Sequence, residues 1–219
     1  MILYIIRHGE TDWNRVHRVQ GLTDIPLNDC GRRLAMETAE GMKEIPIDLC
    51  YTSPLIRAKE TAQIVLGGRD VPMYDEARIR ELSFGSYEGL FSGGEHPEEG
   101  SAEFNRFFTD TANYLPPADA ETIPQLYERT GDFLNEMCTR EDLQEKRILV
   151  ATHGAAMTAL LNRIKGNLSV ADFWRDKVPP NCAVTVAEIR GGVPRIQAEG
   201  LIFGKSEVCL DNKVLPMLQ

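Results

Sequence analysis

His8 and His153 each close a short apolar run and each precede a glycine, in Ile5-Ile6-Arg7-His8-Gly9 and Val150-Ala151-Thr152-His153-Gly154. They are two of only four histidines in the chain. An imidazole can serve as nucleophile, proton carrier or hydrogen-bond donor near neutral pH. Arg7 directly precedes His8, and Arg57, in Thr52-Ser53-Pro54-Leu55-Ile56-Arg57, falls about one turn into what reads as a helix. The planar forks of such guanidinium groups match phosphate oxygens. Glu81 leads into an apolar, glycine-punctuated loop, Leu82-Ser83-Phe84-Gly85, and is a candidate acid. Singly, each has an ordinary alternative: a satisfied strand-end histidine, a surface arginine, an exposed carboxylate. His17 and His96 have no partner pattern and read as surface or lid residues.

These groups need a frame. Residues 2–6 are a continuous apolar run and read as a buried strand. Asn28 is placed to cap a helix over about residues 29–44, with Leu34, Thr38, Met42 and Ile45 along one face. Residues 47–51 read as a second strand, and Pro54 suits the first turn of the helix after it. A third strand is expected around residues 72–74. Thr122 and Gln125 form a capping-box pattern ahead of a helix carrying Ile123, Leu126, Phe133, Leu134 and Met137. Residues 148–151 read as another buried strand, followed by a helix over about 155–164. Residues 183–189 and 195–203 suggest a closing hairpin turned by Gly191-Gly192. The alternation predicts an α/β sheet covered by helices. In open α/β sheets ligands bind beyond the C-terminal ends of strands, which is where both His-Gly pairs fall.

The stretch from Gly85 to Ala120 breaks this pattern. It is rich in Gly, Pro and Glu, with a helical aromatic patch at Phe104, Phe107 and Phe108 beside Phe91 and Tyr114, and reads as a lid inserted at about residues 86–120 of a single 1–219 domain. With 219 residues, 42% of them hydrophobic and 26% charged, the chain can bury a full core without disulfide or metal. The N-terminal apolar run is too short for a signal peptide and no stretch approaches the roughly 20 residues of a membrane span, so a cytoplasmic protein is expected. Five scattered cysteines (Cys30, Cys50, Cys138, Cys182, Cys209) suggest reduced, packed thiols. The net charge of −9 argues against general affinity for nucleic acid or anionic membrane. An anionic substrate would have to be drawn by a local cluster of positive groups.

The segments IIRHGETDWN, YTSPLIRAKETA, RELSFGSYEG and VATHG occur in this order. Together with residues 26–35, which fit the pattern PLxxxGRxxA, they resemble the histidine phosphatase superfamily, which includes the cofactor-dependent phosphoglycerate mutases. Several ordered motifs are far more specific than any one. The resemblance implies a three-layer α/β/α fold with a mostly parallel sheet, like the phosphoglycerate mutases. It also implies phosphoryl transfer through a phosphohistidine on His8, with Arg7, Arg57 and His153 binding the phosphoryl group. Glu81 would be the general acid, and no metal or other cofactor is needed. By the same resemblance Asn14, Thr23 and Gly154 would bind phosphate or substrate. Positive neighbours should favour a neutral, nucleophilic His8, while His153, if protonated, would add a donor.

Two departures favour a phosphatase acting on a small-molecule phosphomonoester over a mutase. Arg106 is the only Lys or Arg in the lid, which carries Glu88, Glu95, Glu98, Glu99, Glu103, Asp110 and Asp119 and should repel a second phosphate. Ala155-Ala156 stands where the mutases usually have Asn-Ser. The alternatives are a phosphoglycerate mutase and, ranked lower, a non-catalytic phosphate-binding member of the fold. The lid aromatics suit either packing, the favoured reading, or an apolar or ring-bearing substrate. A homodimer is possible, with no pattern that identifies one.

Overall fold

The computed structural model describes residues 1–93 and 98–203. His96, Glu95 and Cys209 lie outside them. In chain order the elements are β1 (Ile2–Arg7), α1 (Asp12–Arg15), α2 (Asp29–Gly41), β2 (Leu49–Thr52), α3 (Ile56–Leu66), β3 (Met73–Asp75), α4 (Ser101–Thr109), α5 (Ile123–Thr139), β4 (Arg147–Thr152), α6 (Gly154–Ile164), β5 (Val184–Arg190) and β6 (Val193–Leu201). They build one six-stranded sheet in the order β3-β2-β4-β1-β5-β6. The pairs β3–β2, β2–β4 and β4–β1 are parallel, and β5 and β6 extend the sheet antiparallel.

The central strands β1, β2 and β4 are covered on both faces, which is why their middles are apolar, while the edge strand β3 is largely exposed. Successive residues of a strand point to opposite faces. Thus Ile148 and Val150 of β4 join Leu3 and Ile5 of β1 beneath Phe133, Leu134 and Met137 of α5 and Met157, Leu160 and Leu161 of α6. Leu149 and Ala151 join Ile6 and Cys50 against Leu34 and Ala35 of α2 and Ala62, Val65 and Leu66 of α3. The result is the three-layer α/β/α sandwich expected. A third cluster, with Leu82, Phe84, Phe104, Phe107, Leu126, Ala155, Phe173 and Trp174, gathers the aromatic residues of α4 above the start of α6.

Local signals account for most boundaries. The Asn28 side chain accepts from Gly31 N at 2.8 Å and opens α2. The Thr122 hydroxyl accepts from Gln125 N at 3.3 Å while Gln125 Oε1 accepts from Thr122 N at 2.8 Å, completing the capping box of α5. Gly191 and Gly192 take φ values of 58° and 77°, the paired left-handed geometry of a two-residue hairpin turn. That tight turn starts β6 at Val193, two residues before the expected position. Pro54 does not enter a helix: Leu55 is the N-cap of α3, and Asp24 Oδ1 accepts the first free amide, Ile56 N, at 2.8 Å. Cys50, Cys138 and Cys182 are free thiols, as expected. Among the described residues, no helix is long and apolar enough to cross a membrane.

Candidate active site

Strand register brings the candidate residues together. Arg7 of β1 pairs with Thr152 of β4, and Ala151 of β4 with Thr52 of β2. The next residues, His8, His153 and Ser53, therefore leave the sheet side by side. The two imidazole rings lie 5.1 Å apart, centroid to centroid, at 59°. His8 Nδ1 is 2.6 Å from the Gly9 carbonyl oxygen. A carbonyl only accepts, so Nδ1 carries the proton and Nε2 keeps its lone pair. Burial, then the charges of Arg57 and Arg7, hold His8 well below the ordinary histidine pKa, so it is neutral at physiological pH.

Arg57, fully buried on the first turn of α3, donates Nη2 to the Gly21 carbonyl at 2.7 Å and Nη1 to that of Thr23 at 3.1 Å. Burial lowers its pKa to about 10, against the opposing pull of Glu81, Asp24 and Glu88, and it stays charged at neutral pH. Arg7 donates Nη1 to the Pro179 carbonyl at 2.6 Å. Three enclosed nitrogens in this group, Arg7 Nε, Arg57 Nε and His153 Nδ1, have no partner. Burial, followed by Arg57, His8, Arg129 and Arg7, depresses the His153 pKa well below its usual value. Protonation of His153, the condition on which an imidazolium donor rested, is thus opposed, and the neutral ring is favoured.

Glu81 is buried at the N-terminus of α6. Its carboxylate accepts from Leu82 N at 2.9 Å and from Ala155 N and Ala156 N, both at 3.1 Å. A methyl group on Gly154 would sit 3.6 Å from Glu81 Oε2 and 3.7 Å from Arg7 Nε, so acid, guanidinium and Gly154 border one space. Arg129 braces this loop, donating to the carbonyls of Arg78, Arg80 and Glu81 while pairing with Glu121 at 2.6 Å.

That space opens into a cavity of about 130 Å³ lined by Arg7, Glu81 and Gly154 at one end and by Phe84, Phe104, Phe107, Phe108, Trp174 and Val178 beyond. Asn14, Arg18 and Gln20 also line it. Asn14 lies in this lining, its Oδ1 accepting from Thr11 N at 3.2 Å in the capping box of α1. The Thr23 hydroxyl and amide both donate to Glu88, and its carbonyl accepts from Arg57. Glu88 is thereby committed to holding the 21–23 loop, with Leu22 N also donating to it at 2.7 Å. It is no free lid charge. His17 is exposed, as expected.

Four site residues escaped the sequence reading. Gln20 Oε1 accepts from Thr11 Oγ1 at 2.8 Å, which leaves its enclosed Nε2 without a partner. Asn181 Nδ2 donates to the His8 carbonyl at 2.9 Å. Arg129 and Ser53 complete the set. Only Ser53, a hydroxyl at a strand end within a quoted motif, carried a usable signal. Among the described residues, no three His, Cys, Asp or Glu side chains cluster as a metal site would require.

This arrangement agrees with the kinship of the chain. The phosphatase PhoE of Bacillus subtilis, itself described as uncharacterized, is 38% identical over 162 residues, covering 74% of this chain and 76% of its own. A probable phosphoglycerate mutase, GpmB of Cronobacter sakazakii, is 33% identical over 215 residues, covering 91% and 96%. The solved structure of YhfR from Bacillus stearothermophilus superposes with a TM-score of 0.78 at 30% identity, covering 91% of this chain and 96% of that one. Residues 3–201 match the histidine phosphatase superfamily, branch 1, and the chain belongs to that superfamily.

Proposed function

We propose that the chain hydrolyses a phosphomonoester through a phosphohistidine on His8 Nε2, without a metal. One observation carries this reading: enclosed nitrogens of Arg7, Arg57 and His153 stand without protein partners in the same site as a neutral histidine whose Nε2 lone pair is left free by the Gly9 carbonyl. Such unspent donors are costly to bury unless an anion takes them. A phosphoryl group has three oxygens to offer, and catalysis of its transfer is mostly positioning and positive charge.

In the first step His8 Nε2 attacks phosphorus, the P–O ester bond breaks, and Glu81, carrying a proton, gives it to the leaving alkoxide. In the second, water attacks phosphorus, the P–N bond breaks and Glu81 takes the proton back. Inorganic phosphate leaves and both side chains are restored. Glu81 stands beside Gly154 and Arg7, where the ester oxygen would lie. The leaving group would occupy the aromatic part of the cavity, which suits an apolar or ring-bearing alcohol. Beyond Arg7, Arg18 is the one cationic side chain in that lining, a poor match for the second phosphate of a bisphosphate. This favours hydrolysis over the mutase chemistry named for GpmB.

Incubation with a ³²P-labelled ester should give acid-labile label on the wild type and none on His8→Ala, with turnover lost by about 10⁵-fold or more. Full activity in His8→Ala would overturn the reading. Rapid isomerisation of 3-phosphoglycerate with a bisphosphate primer, and little phosphate release, would favour the mutase.

A further inference from the structure

Ser53 takes no part in the steps above, yet it is fully buried against one of their groups. Its Oγ lies 2.6 Å from His153 Nε2, and it accepts from Leu55 N at 3.3 Å. A hydroxyl has one proton and two lone pairs, so two arrangements are open to a neutral ring. If Nε2–H donated to Ser53, the serine proton would have no acceptor among these contacts and Nδ1 would be a bare lone pair in an anion site. If Ser53 donates to Nε2, its proton and one lone pair are used, and the enclosed Nδ1 carries an N–H. That is the only arrangement in which arrival of a phosphoryl oxygen satisfies every group. An imidazolium, donating from both nitrogens, is opposed by its burial beside Arg57 and Arg7.

We infer that Ser53 is a positioning residue whose O–H fixes His153 as the Nδ1–H tautomer, so that a neutral imidazole donates to the transferring phosphoryl group. The choice of tautomer rests on the phosphoryl-binding reading above and the kinetic consequence on hydrolysis, but the tautomer itself belongs to the unliganded protein and is read without turnover. The site then has a division of labour. The Gly9 carbonyl holds the proton of His8 on Nδ1 to free a lone pair, and Ser53 holds that of His153 on Nδ1 to free a donor. Two chemically identical rings, 5.1 Å apart, acquire opposite roles from one acceptor and one donor at their other nitrogen.

The test is a long-range ¹H–¹⁵N correlation spectrum of full-length, ¹⁵N-histidine-labelled protein at neutral pH, with His153→Gln assigning the signals. The wild type should show His153 protonated on Nδ1 alone. Ser53→Ala should move the proton to Nε2 or give a mixture, and Ser53→Thr, which keeps the hydroxyl, should restore the wild-type pattern. Ser53→Ala should also lower kcat by about 10²-fold with KM little changed, as loss of one transition-state donor does, with Thr recovering most of it. A wild-type proton on Nε2 overturns the inference, and that spectrum decides even if Ser53→Ala does not fold. An unchanged tautomer or unchanged kcat in folded Ser53→Ala also overturns it. The expected tautomers without any phosphohistidine on His8 would sink the hydrolase reading alone.

Discussion

At and behind the charged end of the cavity each reactive side chain is held by hydrogen bonds before any ligand arrives, whereas the far wall is a set of rings held mainly by apolar packing. Arg57 spends two nitrogens on backbone carbonyls, Arg7 one, each imidazole one, and Glu81 receives three amides. What remains unspent is one enclosed nitrogen each on Arg7, Arg57 and His153. Across the cavity, Phe84 meets Phe104 and Phe107 edge-on at 5.4 and 5.3 Å, and Phe107 meets Trp174 at 5.3 Å. The polar tie there is Trp174 Nε1 to the Phe107 carbonyl at 2.8 Å. Preorganised donors fix direction and act on developing charge. Apolar contact is non-directional and grows with area. The first end can set the reaction, and the second can set only the size and polarity of the leaving group.

The largest effect should come from breaking the charged end. Arg57→Ala removes one donor to the phosphoryl group and leaves the Gly21 and Thr23 carbonyls without their partner. We expect kcat/KM to fall by about 10³-fold on every phosphomonoester, whatever its leaving group. Arg57→Lys should recover little, because a single ammonium cannot reach two carbonyls and a phosphate oxygen in the same fork geometry. Losses that differ strongly between substrates would dissolve the division between the two ends.

The next effect reads the same end through stability. His8 and His153 are both depressed well below the free histidine value, first by burial and then by arginine charge. Above about pH 6.5 both states are neutral and nothing is lost. Below it the unfolded chain binds protons that the native state refuses, so stability falls as pH falls. The slope is about 1.4 kcal/mol per pH unit for each such histidine, down to its folded pKa. Urea unfolding between pH 7 and pH 5.5 should show this, and His153→Gln should remove about half of the contribution. A flat profile would mean that neither ring resists protonation in the native site, and half the slope that only one does.

The charged end was largely legible because its residues sit at strand ends and on a first helical turn, where hydrophobic periodicity stops at a definite residue. Arg7, His8 and His153 at strand ends and Arg57 on a first helical turn carry that signal, whereas Glu81 is marked only by the apolar, glycine-punctuated loop it leads into. The contacts that prepare them were not legible. Ser53 meets His153 across 100 residues, and Asn181 meets the His8 carbonyl across 173. Such contacts leave no local pattern, since each depends on sheet order. Pro54 was assigned to a helix because proline favours a first turn, but the Ser53 hydroxyl accepts Leu55 N and the helix starts two residues after it. Of the aromatic wall, the sequence shows the helical patch of Phe104, Phe107 and Phe108, which α4 carries, but not what it meets. Its rings come from α4, from Phe84 and from residues 173–174, and only packing shows that Phe107 and Phe108 reach Trp174.

The smallest effect belongs to that wall. Phe108 is half-buried, lines the cavity and packs on Trp174 at 5.1 Å and on Phe107 at 5.0 Å. It is the ring whose removal least disturbs the packed core, since Phe104 and Phe107 are almost fully enclosed. An aromatic contact contributes about 0.5–1.5 kcal/mol beyond its area. Phe108→Ala should therefore raise KM for naphthyl phosphate by about tenfold, the equivalent of ~1.4 kcal/mol, and leave kcat nearly unchanged. Glycerol phosphate, which has no ring to place there, should change by less than about twofold. The ratio of the two kcat/KM values isolates the wall from the charged end, because any loss of protein or of His8 reactivity cancels. An unaltered ratio would assign these rings to packing alone, and the leaving group would then have to be selected by Asn14, Arg18 and Gln20, the polar side chains of the same cavity.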